Sequence, residues 1–408
     1  MLRKALSTGL IAALAVLAAT LFVTVTPANA QDIVLHNFND NGKDGANPNA
    51  GLIVDAAGNL YGTTETGGAY YGGTAFELMP KARGGWTEKL LYNFPRGSIP
   101  LASLVFDAAG NLYGTTWGST SGPGTVFELT PSAGGNWTAA LLHVFGSGKD
   151  GQEPAGGLIF DAAGNLYGTT TAGGTHSSGT VFELTPKAGG GWAEKVLYSF
   201  AGNGIDGSMP FSSLVLDPSG NLYGSTPDGG LYSQGTVFEL TPNPSGVWTE
   251  KVLHNFIYDG VDGNNPYANL IFDAAGNLYG TTVDGGLNGL GTAFELTPSS
   301  GGIWTEKILH NFARDGCFPY GALAFDTAGN LYGTTTTDGA YGTGTVFELT
   351  PEAGGLWAEK VLHSFNNPNG GREFFSVSSV ILDSAGNLYG TTFYGGVYGY
   401  GTAFEVTH

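Results

Sequence analysis

Asp273-Ala-Ala-Gly-Asn-Leu-Tyr-Gly-Thr-Thr282, Gly291-Thr-Ala-Phe-Glu-Leu-Thr-Pro298 and Trp304-Thr-Glu-Lys-Ile-Leu-His-Asn-Phe312 are consecutive segments of one unit, and the unit recurs along the chain. Its signature Gly-Asn-Leu-Tyr-Gly begins at Gly58, Gly110, Gly164, Gly220, Gly276, Gly329 and Gly386. The period is 52 to 57 residues. A period of this length marks a repeat architecture, in which one supersecondary unit buries its apolar face only against its neighbours.

Each unit reads as four short strands. Strand A is a continuous apolar run such as Asn269-Leu-Ile-Phe272, which suits a strand buried on both faces. Strand B is Asn-Leu-Tyr-Gly-Thr-Thr, strand C is Gly-Thr-(Val/Ala)-Phe-Glu-(Leu/Val), and strand D starts at the Trp. The A–B connection is Asp-x-x-Gly, a tight turn. No segment carries a helical period with caps. Four antiparallel strands repeated at this spacing describe a propeller blade.

The chain ends sharpen this reading. The seventh unit stops at His408 after strand C, without a Trp strand. Asp32-Ile-Val-Leu-His-Asn-Phe38 matches the second half of strand D. An N-terminal strand that completes the last blade closes a ring and removes its open edge. The expectation is therefore an all-β, seven-bladed β-propeller of four-stranded blades spanning residues 31–408, acting as a monomer.

Composition narrows the function. The chain has 408 residues, of which 69 are Gly, and only 12% are charged, with 15 basic against 34 acidic. The acidic balance argues against nucleic acid, because phosphate binding needs a basic footprint. Arg3 and Lys4, the apolar run from Leu10 to Val25, and Ala28-Asn29-Ala30 read as a signal peptide over residues 1–30 with cleavage before Gln31. The protein is expected in the periplasm or medium, with no membrane span after cleavage. Cys317 is alone, so no internal disulfide forms.

The spacings locate variation. Asp to Glu within a unit is 22 residues in six units and 21 in the second, so length changes fall in the D–A connection. D–A and B–C connections lie on one face of a meander. Repeat scaffolds put binding on the face that varies. The non-repeated aromatics there are Tyr70, Tyr71, Trp117, Tyr232, Tyr341, Phe393, Tyr394, Tyr398 and Tyr400. Asp228, Asp284 and Asp338 stand at corresponding B–C positions, and Arg314 lies in a D–A loop. Aromatic rings over a polar floor suit stacking on a sugar or anchoring a protein, and clustered carboxylates suit a cation or acid–base work on a glycan.

Repeated polar residues read as scaffold. The turn Asp residues accept backbone N–H groups. The strand C glutamates face Lys89, Lys195, Lys251, Lys307 and Lys360 of strand D. His36, His143, His254, His310 and His363 share one strand D position with Tyr92 and Tyr198. A position that takes Tyr or His reads as packing and hydrogen bonding, and five histidines on five blades cannot converge on one metal. Four D–A loops carry Gly-x-Asp-Gly-x-x-Pro, with Asp44, Asp150, Asp206 and Asp262. Turn chemistry explains them, with calcium as the functional alternative and no other cofactor expected.

The string Asp-Ala-Ala-Gly-Asn-Leu-Tyr-Gly-Thr-Thr followed by Gly-Thr-Val-Phe-Glu-Leu-Thr-Pro resembles the GloVer-type tandem repeat of secreted bacterial proteins. Its blades are more loosely similar to NHL and SMP-30-type propellers. The GloVer resemblance implies an exported repeat protein, often with a C-terminal surface anchor, and supplies no catalytic residues. Three functions follow as expectations: a binding module for a polysaccharide or a surface protein, a polysaccharide lyase or glycosidase using loop carboxylates, and a structural envelope protein.

Overall fold

The computed structural model describes residues 31–118, 122–146, 149–366 and 378–407. The proposed signal segment and His408 lie outside the described residues. So does part of the loop that leads into the last blade.

Seven four-stranded antiparallel sheets form a seven-bladed β-propeller, and no helix occurs among the described residues. In the fifth blade, strand A is Ile271–Phe272, B is Leu278–Thr282, C is Thr292–Pro298 and D is Trp304–Asn311. The seventh blade takes its outer strand from the N-terminus. Gln31–Asn37 pairs antiparallel with Thr402–Thr407, from Gln31 opposite Thr407 to Asn37 opposite Thr402. The ring thus closes through hydrogen bonds between the two ends of the described chain.

Strand A departs from its expected burial. It is only two residues long, and Val54 of the first blade is 42% exposed. Blades converge at the axis, so little room is left for an inner strand. Only the preceding Leu or Val (Leu52, Leu104, Leu158, Leu214, Leu270, Leu323 and Val380) is buried. Strand B carries the buried centre instead. Leu278 to Thr282 is buried at every position.

The core lies between blades. Tyr223 of blade four meets Phe272 of blade five edge-on, with ring centroids 5.1 Å apart, and Trp304 at 6.1 Å. Tyr61–Phe106, Tyr113–Phe160 and Tyr279–Phe325 repeat the first contact. Edge-to-face pairs at these distances add to the area they bury.

The same Tyr is anchored at its hydroxyl. Asp55 Oδ1 accepts the N–H groups of Ala57 and Asn59 at 2.8 and 2.9 Å, and its Oδ2 accepts from Asn59 Nδ2 and from Tyr61 Oη at 3.1 Å. Burial works against the charge of Asp55, but these hydrogen bonds win and hold its carboxyl below the usual range. Glu77 Oε1 lies 2.9 Å from the same Tyr61 oxygen. This accounts for the repeated strand C Glu. Pairing with Lys is secondary: it occurs at Glu77–Lys89, Glu295–Lys307 and Glu348–Lys360, 3.6 to 3.9 Å apart. Lys195 and Lys251 instead donate to the carbonyls of Gly246 and Gly302, in the C–D turn of the next blade.

The Gly of strand B is set by close approach. A Cβ on Gly280 would lie 2.7 Å from Phe294 Cζ and 2.9 Å from Leu270 Cδ2, both fully buried. Gly280→Ala is therefore expected to lower stability by about 1–3 kcal/mol through overpacking. Thermal unfolding checks this against Gly276→Ala, whose Cβ meets nothing and whose cost comes only from its positive φ.

Candidate ligand-binding site at the channel mouth

The D–A and B–C connections share one face and are tied together there. Gly45–Ala46 pairs with Thr66–Gly67, and the same two-residue ribbon recurs at Gly151–Gln152/Ala172–Gly173, Gly207–Ser208/Asp228–Gly229 and Gly263–Asn264/Asp284–Gly285. In blade six a single bridge, Cys317 to Thr337, takes its place. The variable face is thus a hydrogen-bonded surface rather than a set of free loops.

The D–A loops of the first six blades cross this face from the rim and reach the axis at a Pro. Asn49, Leu101, Ala155, Phe211, Tyr267 and Tyr320 directly follow Pro48, Pro100, Pro154, Pro210, Pro266 and Pro319. These six residues line the central cavity. Its wall is polar: Gly157 N–H donates to Ser213 Oγ, Ser213 N–H to Asn269 Oδ1 and Ala322 N–H to Ser379 Oγ, at 2.7 to 3.0 Å. The cavity volume is about 90 Å³, room for roughly three waters. A sugar ring or side chain must therefore rest on the mouth and not within the channel.

Four aromatic rings border that mouth. Trp117 lies 5.7 Å from Phe211, Phe211 lies 5.6 Å from Tyr267, and Tyr267 lies 5.4 Å from Tyr320, centroid to centroid. All four are half-buried, so each keeps an accessible edge or face. Asp228 and Asp284 face this arc. After burial, their charges push the Tyr267 phenol up, and Asp284 contributes at Tyr320 as well. Burial also pushes the Asp284 carboxyl up. The opposite side of the mouth, Asn49, Leu101 and Ala155, is small or aliphatic, so the site is one-sided.

The structure brings Trp117, Asp228 and Asp284 to this site and leaves the other candidates elsewhere. Tyr70, Tyr71, Tyr232 and Tyr341 are 50–61% exposed at B–C loop tips. Those tips fold outward onto their own strand D: Ala69, Leu231 and Ala340 N–H donate to Asn93, Asn255 and Ser364 side chains. Tyr394 packs edge-on against Phe393 at 4.6 Å, in the blade-seven positions that correspond to Asp228 and Trp117. Asp338 accepts from Cys317 Sγ at 3.3 Å, and Arg314 is exposed outside the arc. Phe211, Tyr267 and Tyr320 were not singled out by sequence. Their signal is a variable residue after a Pro that recurs in six of the seven units.

Cys317 is 1% exposed and bonded to Thr337 Oγ1 at 2.9 Å. Burial first, and then Asp338, push its thiol up to about 11. A thiol held protonated is a poor nucleophile.

The repeat itself identifies the family. The model of the Gloeobacter/Verrucomicrobia repeat matches residues 17–226 and again 213–408. The chain belongs to that family. No curated protein matches it. Among solved structures, a provisionally assigned 6-phosphogluconolactonase from Bacteroides uniformis is similar at 13% identity and TM-score 0.53, covering 77% of this chain and 84% of its own. An ancestral GH74 enzyme is similar at 11% identity and TM-score 0.56, covering 89% of this chain and 48% of its own. At such identities the likeness shows the propeller fold alone.

Proposed function

We propose that this member of the repeat family is an exported binding module that takes a glycan on the aromatic arc at the channel mouth. The observation that carries the reading is the contiguous chain Trp117–Phe211–Tyr267–Tyr320 with two carboxylates beside it. Rings stack on the apolar face of a sugar, and Asp228 and Asp284 accept hydrogen bonds from its hydroxyls. A channel of this size keeps the ligand at the surface. Export rests on the basic, apolar and small-residue pattern of residues 1–30. Mass spectrometry of the exported protein is expected to find Gln31 at its N-terminus. Retention of residues 1–30 would overturn that part of the reading.

The test is a polysaccharide panel scored for retention and for released sugar. Tyr267→Ala and Trp117→Ala are each expected to weaken binding by about 2 kcal/mol, roughly 30-fold. Tyr70→Ala, at a loop tip, should leave it unchanged. Equal losses at all three positions would sink the assignment to the arc.

A second reading is favoured by Asp284. A half-buried carboxyl raised by burial, facing two phenols, is suited to general acid catalysis on a glycosidic oxygen. If the protein cleaves what it binds, Asp284→Asn should abolish sugar release while retention survives. Release that persists in this variant excludes the role.

A further inference from the structure

The strand D histidines do not converge at the axis, but three of them meet two acids each at the outer rim. His36, Asp44 and Glu88 form one group, His143, Asp150 and Glu194 a second, and His254, Asp262 and Glu306 a third. In each, the His comes from strand D of one blade, the Asp from the following D–A loop and the Glu from strand D of the next blade. One ligand atom from each residue lies within 4.8 Å of the other two.

The geometry is built by the fold. In every blade the C–D register slips just before the His, as between Val237 and Phe238. A bulge of this kind re-aims the side chain that follows it. The loop Asp is fixed by the backbone: Asp262 N–H donates to Asp259 Oδ1, and Asp262 Oδ2 accepts from Ile257 N–H at 3.0 Å. The same Oδ2 lies 3.2 Å from His254 Nε2. Asp262 Oδ1 has no partner, although the residue is only 7% exposed. Glu306 Oε1 is likewise buried without a partner, while its Oε2 lies 3.8 Å from His254 Nε2. Asp44 Oδ1 with Glu88 Oε1, and Asp150 Oδ1 with Glu194 Oε1, repeat these orphaned pairs, as do Asp206 Oδ1 and Glu250 Oε1 beside Tyr198, where the His that would complete the group is missing. Two facing buried carboxylates are costly unless a proton or a cation sits between them.

The interface between blades one and two is informative. There the His position is Tyr92, the D–A loop 95–100 has no Asp, and Ala139 replaces the Glu. Between blades three and four only the His changes: Tyr198 takes its place and donates to Asp206 Oδ2 at 3.0 Å, while Glu250 stays.

We propose that each of these three His–Asp–Glu groups holds one divalent first-row transition ion, of the zinc or manganese class, as a clamp between adjacent blades. One imidazole nitrogen with two carboxylates suits such an ion, whereas calcium prefers oxygen ligands throughout. Three protein ligands leave a position for water. The second group borders a surface cleft lined by Lys149, Thr175 and Tyr198, which supplies an entry path. The first group ties the N-terminal strand, through His36, to Glu88 of blade one.

Chelator-treated full chain, dialysed against Zn²⁺, Mn²⁺ or Ca²⁺ and analysed for bound metal, tests the clamp. Three Zn²⁺ or Mn²⁺ per chain are expected, with a raised melting temperature and no comparable uptake of Ca²⁺. His254→Gln and, separately, Glu306→Gln should each reduce three ions to two in protein that keeps its strand circular dichroism. Glu250→Gln, beside Tyr198 and Asp206, should leave three. Uptake below one ion per chain overturns the proposal. So does a stoichiometry that neither folded variant lowers, or Ca²⁺ bound with the same dependence on His254.

Discussion

The phenol of the strand B Tyr is the contact on which the rest depends. Its hydroxyl joins the A–B turn Asp to the strand C Glu within one blade, and its ring packs against the strand A Phe of the next. One side chain therefore sets both the internal geometry of a blade and the spacing between blades. The hydroxyl also makes the contact selective: a Phe there would remove the one O–H shared between the strand C Glu and the turn Asp, and the Asp alone would keep its Ala and Asn donors. The hydroxyl link recurs in all seven blades, whereas strand A offers Phe in four of them and Val54, Leu216 or Leu382 in the other three, and the strand B Gly lets the strand C Phe fit against strand B.

Because the scaffold is repeated, it cannot by itself form one asymmetric site. Specificity has to enter where the repeat permits change. In six D–A loops the Pro packs on a Gly of the preceding blade, as Pro319 does near Gly291, and so holds the backbone at the mouth. The next side chain is then free to vary without moving it. Phe211, Tyr267 and Tyr320 occupy that position in three successive blades. This groups the rings on one side and leaves Asn49, Leu101 and Ala155 on the other.

The ring itself was legible because its signals are local and repeated. Asp-x-x-Gly-Asn-Leu-Tyr-Gly marks a turn and a strand, and the displaced strand D at residues 32–38 marks the closure. The sites were less legible because they join residues that are far apart in sequence. Trp117 stood out as a Trp outside strand D, yet its neighbour Phe211 is one blade removed. Loop-tip tyrosines such as Tyr70 looked equivalent to Trp117, because sequence does not show that the tip folds outward while its base faces the axis. The histidines were read as packing since Tyr replaces them twice. That argument compares one position across blades and misses its Asp and Glu partners, which lie on other elements.

Electrostatics links the rim to closure of the ring. In the absence of an ion, burial and then the charge of Asp44 push Glu88 up to about 9, and Asp262 does the same to Glu306. Each of these pairs therefore holds a proton at neutral pH, since two adjacent buried carboxylates do not both ionise. A divalent ion must displace that proton to bind, so uptake releases protons and tightens as pH rises. The interface that closes through hydrogen bonds alone, between residues 31–37 and 402–407, is flanked by such a pair. A clamp at His36, Asp44 and Glu88 would hold the N-terminal strand to blade one, so that the strand offered to residues 402–407 is anchored by more than its own ladder, and the free end of an edge strand is where a ring begins to open.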